Sequence, residues 1–503
     1  MHVNKTCYGL KSVKVSDNMY CVLGCVLSWG DTGELCPRVT IGALPDNVLL
    51  LEIFRLYLGL DDCGKDTWLA AWEPYQLEAW HTLVHVCSTW RRLVFASPRR
   101  LNLRLRCVNT RPVRKMLNIW PVLPVMIFAY ITNPRRPGTT NIIHALKQRD
   151  RVYKISIWGT PNSLLKKIAA MRKPFPALTD LGLSSNDENP LVLPDSFLGG
   201  SAPRLQQLTL CRIPFPALGK LLSSTCDLVT LSLSDIPRSG YISPHAIVTC
   251  ISTLTRLEDL KLLFTDSCSR AERANRYPPP LARAVLPALT RLQFRGNCEY
   301  LEDTVSRIDT PLLHYVHIMF LNQLAFDTPH LRHFIGRTEQ LREFYRITAL
   351  FTRGVVQITP SWRKGISMLC VQTFCEPLDW QLSSLMQVHN PFLSPLRPLE
   401  DLCIYLEKYF SQDDIPENTQ WLEFLHQFTS IKDLELSRNL VPLVFPALGD
   451  LTGEEATEVL PALQNIFVAE LPSSGPVQEA IVQFVASRQL SGFPVTVRQR
   501  EIE

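Results

Sequence analysis

Leu178-Thr179-Asp180-Leu181-Gly182-Leu183, Leu205-Gln206-Gln207-Leu208-Thr209-Leu210, Leu228-Val229-Thr230-Leu231-Ser232-Leu233 and Leu257-Glu258-Asp259-Leu260-Lys261-Leu262 are four writings of one phrase, Leu-x-x-Leu-x-Leu. Outward from them the phrase loosens but persists. Upstream it reads Val152, Ile155, Ile157; downstream it reads Leu289, Leu292, Phe294 and then Leu313, Val316, Ile318. After a gap it returns as Leu399, Leu402, Ile404, as Ile431, Leu434, Leu436 and as Leu463, Ile466, Val468. The first seven starts are 26, 27, 23, 29, 32 and 24 residues apart, and the last three are 32 apart. Such a period holds one short strand and one return segment, often helical, and it marks a stacked repeat. Pro-Ala-Leu turns lead into several strands, as in Pro176-Ala177-Leu178, Pro287-Ala288-Leu289 and Pro461-Ala462-Leu463.

One such unit cannot bury its own apolar face, whereas a stack can. The pattern therefore predicts an α/β fold, a leucine-rich-repeat-like horseshoe with parallel strands inside and helices outside, over residues 99–503. The segment His245 to Leu254 is one expected helix. Positions between the leucines, such as Thr179, Asp180 and Gly182 or Glu258, Asp259 and Lys261, are expected on the open face, free for binding. Residues 331–365 break the pattern and are expected to form an irregular insertion, with Ile366, Leu369 and Val371 restarting the stack. Residues 99–107 alternate, Leu101, Leu103 and Leu105 against Asn102, Arg104 and Arg106, which predicts a half-buried strand whose charged edge caps the first repeat.

Ahead of the repeats the period changes from strand to helix. Leu44-Pro45-Asp46-Asn47 carries helix-start chemistry, and Val48, Leu51, Ile53, Phe54, Tyr57 and Leu58 follow at spacings that make the helix apolar around most of its girth. Leu83, Val86, Cys87, Trp90, Leu93 and Val94 predict one helix over residues 80–96, stopped by Ser97-Pro98. A helix that is apolar on both sides needs cover from its own domain and from something else.

These residues resemble the F-box of a large group of fungal F-box proteins: Leu44-Pro45, Ile53-Phe54, Val86-Cys87 and Trp90-Arg91. The likeness continues through Pro112-Val113-Arg114-Lys115-Met116-Leu117, Cys375-Glu376-Pro377-Leu378-Asp379-Trp380, Trp421-Leu422-Glu423-Phe424-Leu425 and Leu460-Pro461-Ala462-Leu463-Gln464-Asn465-Ile466, spanning roughly residues 41–500. The chain departs from the pattern by one extra residue between Pro45 and Ile53 and by a long connection from Phe54 to Trp80. Residues 1–40 show neither helical nor strand periodicity and are expected to be an extension without regular structure, and the resemblance implies an F-box helical module over 41–98 ahead of the repeat body. It also implies that Leu44, Pro45, Val48, Ile53, Phe54, Leu83, Val86, Cys87, Trp90 and Arg91 bind the Skp adaptor of a cullin-RING ubiquitin ligase.

Composition narrows the classes further. The 503 residues carry a net charge of only +5. Locally the balance is uneven: residues 44–80 hold seven acids against two bases, and residues 91–149 hold thirteen bases and no acid. Fifteen cysteines are scattered without a Cys-x-x-Cys, which predicts free thiols in a reducing compartment, cytoplasmic or nuclear, rather than a disulfide framework or zinc site. No apolar run reaches membrane-spanning length. His-Glu-x-x-His, Gly-x-Ser-x-Gly, phosphate-loop and dinucleotide motifs are all absent, so no enzyme, cofactor or metal is expected. His81 and His85 stand four apart but lack a third ligand.

The sequence therefore predicts the substrate-recognition subunit of an SCF-type E3 ligase, holding the Skp adaptor and cullin-RING core at one end and an unidentified target protein on the repeats. The alternatives are a stand-alone repeat scaffold with a degenerate F-box, and an anion or nucleic-acid binder using the basic stretch. Neither a membrane nor nucleic acid is the expected partner.

Overall fold

The computed structural model describes residues 47–62, 79–131, 138–265, 282–321, 328–341, 344–361, 367–375, 381–387, 399–407, 417–451, 455–471 and 474–500. Contacts divide the chain after Leu103 into two compact units. Leu44, Pro45 and residues 1–40 lie outside the described residues.

In the first unit, α1 runs Asn47–Asp62, α2 Ala79–Val86 and α3 Ser88–Ala96. The single helix expected over 80–96 is thus two. Cys87 takes an extended backbone, φ −156° and ψ 171°, and its Sγ accepts the Trp90 N–H at 3.4 Å, capping α3. Arg91 Nε donates to the Val84 carbonyl at 2.9 Å, satisfying an acceptor in the last turn of α2. Leu50, Leu51, Phe54, Trp80, Leu83, Val84, Leu93 and Val94 are buried, with the Phe54 ring 4.6 Å from that of Trp90. Glu52 accepts from Arg55 and Arg100, each at 2.7 Å, and these two bonds hold its carboxyl below its ordinary pKa.

The second unit is built on one sheet of sixteen strands among the described residues. In chain order these are β1 Leu105–Val108, β2 Val125–Tyr130, β3 Val152–Thr160, β4 Asp180–Ser185, β5 Gln207–Cys211, β6 Thr230–Ile236, β7 Asp259–Phe264, β9 Arg291–Gly296, β11 Tyr315–Leu321, β12 Arg346–Thr352, β13 Val355–Ser361, β14 Met368–Phe374, β15 Asp401–Leu406, β16 Asp433–Leu436, β17 Asn465–Val468 and β18 Thr496–Gln499. A separate two-strand ladder pairs β8 Ala284–Val285 with β10 Ile308–Asp309. The sheet order is β1-β2-β3-β4-β5-β6-β7-β9-β11-β14-β13-β12-β15-β16-β17-β18. Every Leu-x-x-Leu-x-Leu phrase lands on a strand, and the phrases stack in register. Leu181, Leu208, Leu231, Leu260, Leu292, Val316 and Leu369 form one buried row, and Leu183, Leu210, Leu233, Leu262, Phe294, Ile318 and Val371 form the next. Each such side chain contributes roughly 1.5–3 kcal/mol by leaving water. At most turns one carbonyl accepts two amides of the next repeat: Thr179 O takes Gln206 N and Gln207 N, and Glu258 O takes Thr290 N and Arg291 N.

Helices return the chain between strands: α4 Val113–Ile119, α5 Gly138–Leu146, α6 Asn162–Ala169, α7 Leu218–Leu222, α8 Pro244–Ile251, α9 Cys298–Ser306, α10 Pro329–Arg337, α11 over 381–387, α12 Asn418–His426, α13 Val441–Gly449, α14 Glu455–Glu458 and α15 Pro476–Leu490. Adjacent helices contact one another largely in chain order, forming an outer layer. Strand positions facing it are buried, and alternate positions remain half-exposed, as in β9, β11, β12 and β13.

Three expectations are corrected. The irregular insertion over 331–365 is instead α10 followed by a hairpin, β12 and β13, that extends the same sheet. Thr352 pairs with Val355 around Arg353-Gly354, and Gly354 supplies the positive φ of +85° that the tight turn demands. Because of this hairpin the sheet is not wholly parallel: β13 runs antiparallel to both β12 and β14. Residues 98–102 form turns rather than strand, so the strand expected over 99–107 begins at Leu105, although burial still alternates and β1 does occupy the sheet edge.

Candidate functional site

Two surfaces carry the chemistry, one on each unit. On the first unit the side chains of α1 sort into two stripes. Leu50, Leu51 and Phe54 turn inward, and Phe54 is only 1% exposed. Leu49, Ile53, Leu56 and Tyr57 follow at i, i+4, i+7 and i+8, one face of a helix. Leu49, Leu56 and Tyr57 keep 43–51% of their surface, and Ile53 is half-buried. On α2, Val86, the last residue of that helix, keeps 56% of its surface. Trp90 is half-buried; Cys87 and Arg91 are exposed. Of the ten residues picked from sequence, Leu44 and Pro45 are undescribed and the side chain of Val48 is likewise outside the described set. Phe54 and Leu83 belong to the hairpin's own core, whereas Ile53, Val86, Cys87, Trp90 and Arg91 retain accessible surface. Leu49 and Leu56 were missed; the i, i+4, i+7 spacing from Leu49 through Ile53 to Leu56 was the signal that could have found them.

On the second unit the open face of the sheet carries charged and polar rows beside half-exposed apolar side chains such as Met126, Phe128 and Met319. Its rows pair across strands: Lys154 with Asp180 at 3.7 Å, Arg291 with Asp259 at 3.6 Å, Arg346 with Asp401 at 3.4 Å. Asn465 Nδ2 donates to Asp433 at 2.8 Å. Asp180, Gly182, Asp259 and Lys261 are half-buried here, while Glu258 is exposed. A nearly enclosed carboxylate, Glu435 at 7% exposed, accepts the Tyr405 hydroxyl at 2.6 Å and lies 3.7 Å from Arg500. Cys403 Sγ lies 3.7 Å from the same carboxylate, and burial followed by that charge pushes its thiol up to about 12. Burial also pushes Cys370 up to about 11. Such thiols stay protonated and unreactive at neutral pH. Tyr405 is raised by burial and by its bond to Glu435. Burial raises Asp259 and Asp401 above the ordinary carboxylate range, against the pull of Arg291 and Arg346. These ion pairs fix the face rather than prime it for bond chemistry.

Every described cysteine is a free thiol. Among the described residues no three His, Cys, Asp or Glu side chains gather closely enough to hold a metal, and His81 is buried against Trp80. No described helix is long and apolar enough to cross a membrane.

No family model matches the chain, and no curated protein sequence matches it. Solved structures similar to it include that of the TLR13-ssRNA13 complex, at 14% identity over 78% of this chain and 48% of that one, TM-score 0.25. Another is the leucine-rich repeat-containing protein LegL7 from Legionella pneumophila, at 13% identity over 78% of this chain and 98% of that one, TM-score 0.24. The chain thus spans about half the length of the first. At TM-scores this low, the repeat fold is read from the register of the strands themselves.

Proposed function

We propose that this chain is the substrate-recognition subunit of an SCF-type ubiquitin ligase. Its N-terminal helices bind the Skp adaptor, and thereby the cullin-RING core, while its repeat body holds a target protein. The observation that carries the reading is the apolar stripe Leu49, Ile53, Leu56 and Tyr57 on α1, together with exposed Val86, left uncovered among the described residues after Phe54 and Leu83 have filled the core. Burying such a stripe against a partner is the ordinary way that a helix face of this kind is satisfied. Leu44, Pro45, Val48, Cys87, Trp90 and Arg91 belong to the same proposed contact. The protein would contribute proximity between target and ubiquitin-carrying enzyme, and no bond chemistry of its own.

Affinity purification under proteasome inhibition tests this. Wild-type chain should co-purify with the Skp adaptor, and Leu56→Asp with Val86→Asp should abolish recovery while leaving the circular dichroism spectrum unchanged. Absence of the adaptor from wild-type material would overturn the reading. The extra residue between Pro45 and Ile53 favours a second reading, a stand-alone repeat scaffold, under which the double variant recovers the same partners as wild type.

A further inference from the structure

The near-neutral total of +5 conceals two strongly charged regions at opposite ends of the repeat body. Residues 104–173 hold fifteen lysines and arginines and a single acid, Asp150. Residues 399–470 hold fourteen acids and three bases. The structure places much of the positive set on the outer layer. Helices α4, α5 and α6 are neighbours, and on them or just beyond their ends Arg114, Lys115, Lys147, Lys166, Lys167 and Arg172 are exposed. Among the described residues none of the six has a carboxylate within ion-pair distance. Beside them, in the turn after α4, Val122 is 81% exposed; the Arg151 guanidinium ties that turn to the next repeat through the Leu123 carbonyl at 2.9 Å. The negative set is outward too: Glu417 and Glu423 at α12, Glu455 and Glu458 on α14, all exposed and with no basic partner among the described residues.

One copy cannot neutralise itself through these sets. Nine strands separate β3 from β15 in the sheet. At about 4.8 Å per strand the two regions stand on the order of 50 Å apart along the sheet. Screening at physiological salt acts within about 8 Å. A polyanion such as RNA or an acidic membrane would match the first region alone and leave the second without a complement. A second copy matches both, since each charged set then meets its complement.

We propose that copies of this chain associate through these surfaces, the basic outer helices of one against the acidic outer helices of another. Sedimentation of the full chain tests it. Association is expected at about 50 mM salt and should weaken at least about tenfold by about 500 mM. Lys166→Glu with Lys167→Glu should remain monomeric at low salt, as should Glu455→Lys with Glu458→Lys, and mixing the two variants should restore association. Circular dichroism confirms that each variant is folded. A wild-type monomer at every salt concentration, association indifferent to salt, or association undiminished in both variants would overturn the proposal. So would a wild-type chain that stays monomeric yet binds poly-uridine RNA or phosphatidylserine vesicles in a salt-sensitive way, which would assign the basic surface to a polyanion.

Discussion

His317 sits on β11 with its imidazole half-buried on the open face of the sheet, and burial holds its pKa below the ordinary histidine value. A hydrogen bond with Gln372 opposes that shift, and the charge of Lys261 adds to it. The native state therefore releases this proton at a lower pH than the unfolded chain does. Between the two values the unfolded chain binds more protons, so stability from this group is fully present above about pH 6.5 and is lost as pH falls toward the native value. Melting curves from about pH 7 down to about pH 5 should show a falling midpoint, and His317→Gln should flatten that part of the fall. An unchanged slope in the variant would mean that other groups govern the acid limb. The same face shows why single residues here stabilise more than they react: Glu435 is nearly enclosed, yet its oxygens are occupied by Tyr405, Arg500 and the Cys403 thiol.

At the level of elements, helices are capped by neighbours as well as by their own sequence. Helix α10 begins at Pro329, and its N-cap residue Thr328 makes no side-chain cap bond. The orphan amides of His330 and Leu331 instead donate to the carboxylate of Glu302 on α9, at 2.8 and 2.7 Å. A carboxylate there also suits the positive end of the helix dipole. Glu302→Ala leaves the buried Leu331 amide and the part-buried His330 amide without this acceptor and should cost about 1–3 kcal/mol, read as a lowered urea midpoint. Glu302→Asp, one methylene shorter, should recover part of that loss. The N-terminal helices show a second local decision: one residue, Cys87, splits an expected continuous helix, and its Sγ caps the second half.

For the whole molecule, the contact division after Leu103 gives the repeat body an uninterrupted core of its own, with strand β1 at one edge and β18 at the other. Stability in such a stack comes from nearest-neighbour contacts between repeats. Residues 104–503 produced alone should therefore keep a mixed α/β circular dichroism spectrum and a cooperative melt. A molten, non-cooperative fragment would show that the first 103 residues are needed to complete the first repeat. The buried Arg488 on α15 closes the opposite end, donating to the Ala456 and Leu463 carbonyls at 3.0 and 3.2 Å.

The ten leucine phrases determined ten strands and, within each of their two runs, the register between neighbours, because alternation of buried and open side chains is a local property of a strand and the repeat period sets the partner. The helices of the first unit were equally legible in their spacing. The hairpin β12–β13 was hidden because Ile347, Ala349, Phe351, Val356 and Ile358 alternate correctly but do not spell the leucine phrase, and pairing with distant β15 and β14 decides their place. Which side of α1 is core was also beyond the sequence, since both of its stripes are apolar. Only packing against α2 and α3 chose Phe54 for the inside and left Leu49, Leu56 and Tyr57 in water. Hydrophobicity says that a side chain prefers burial, but the tertiary structure decides which ones find it.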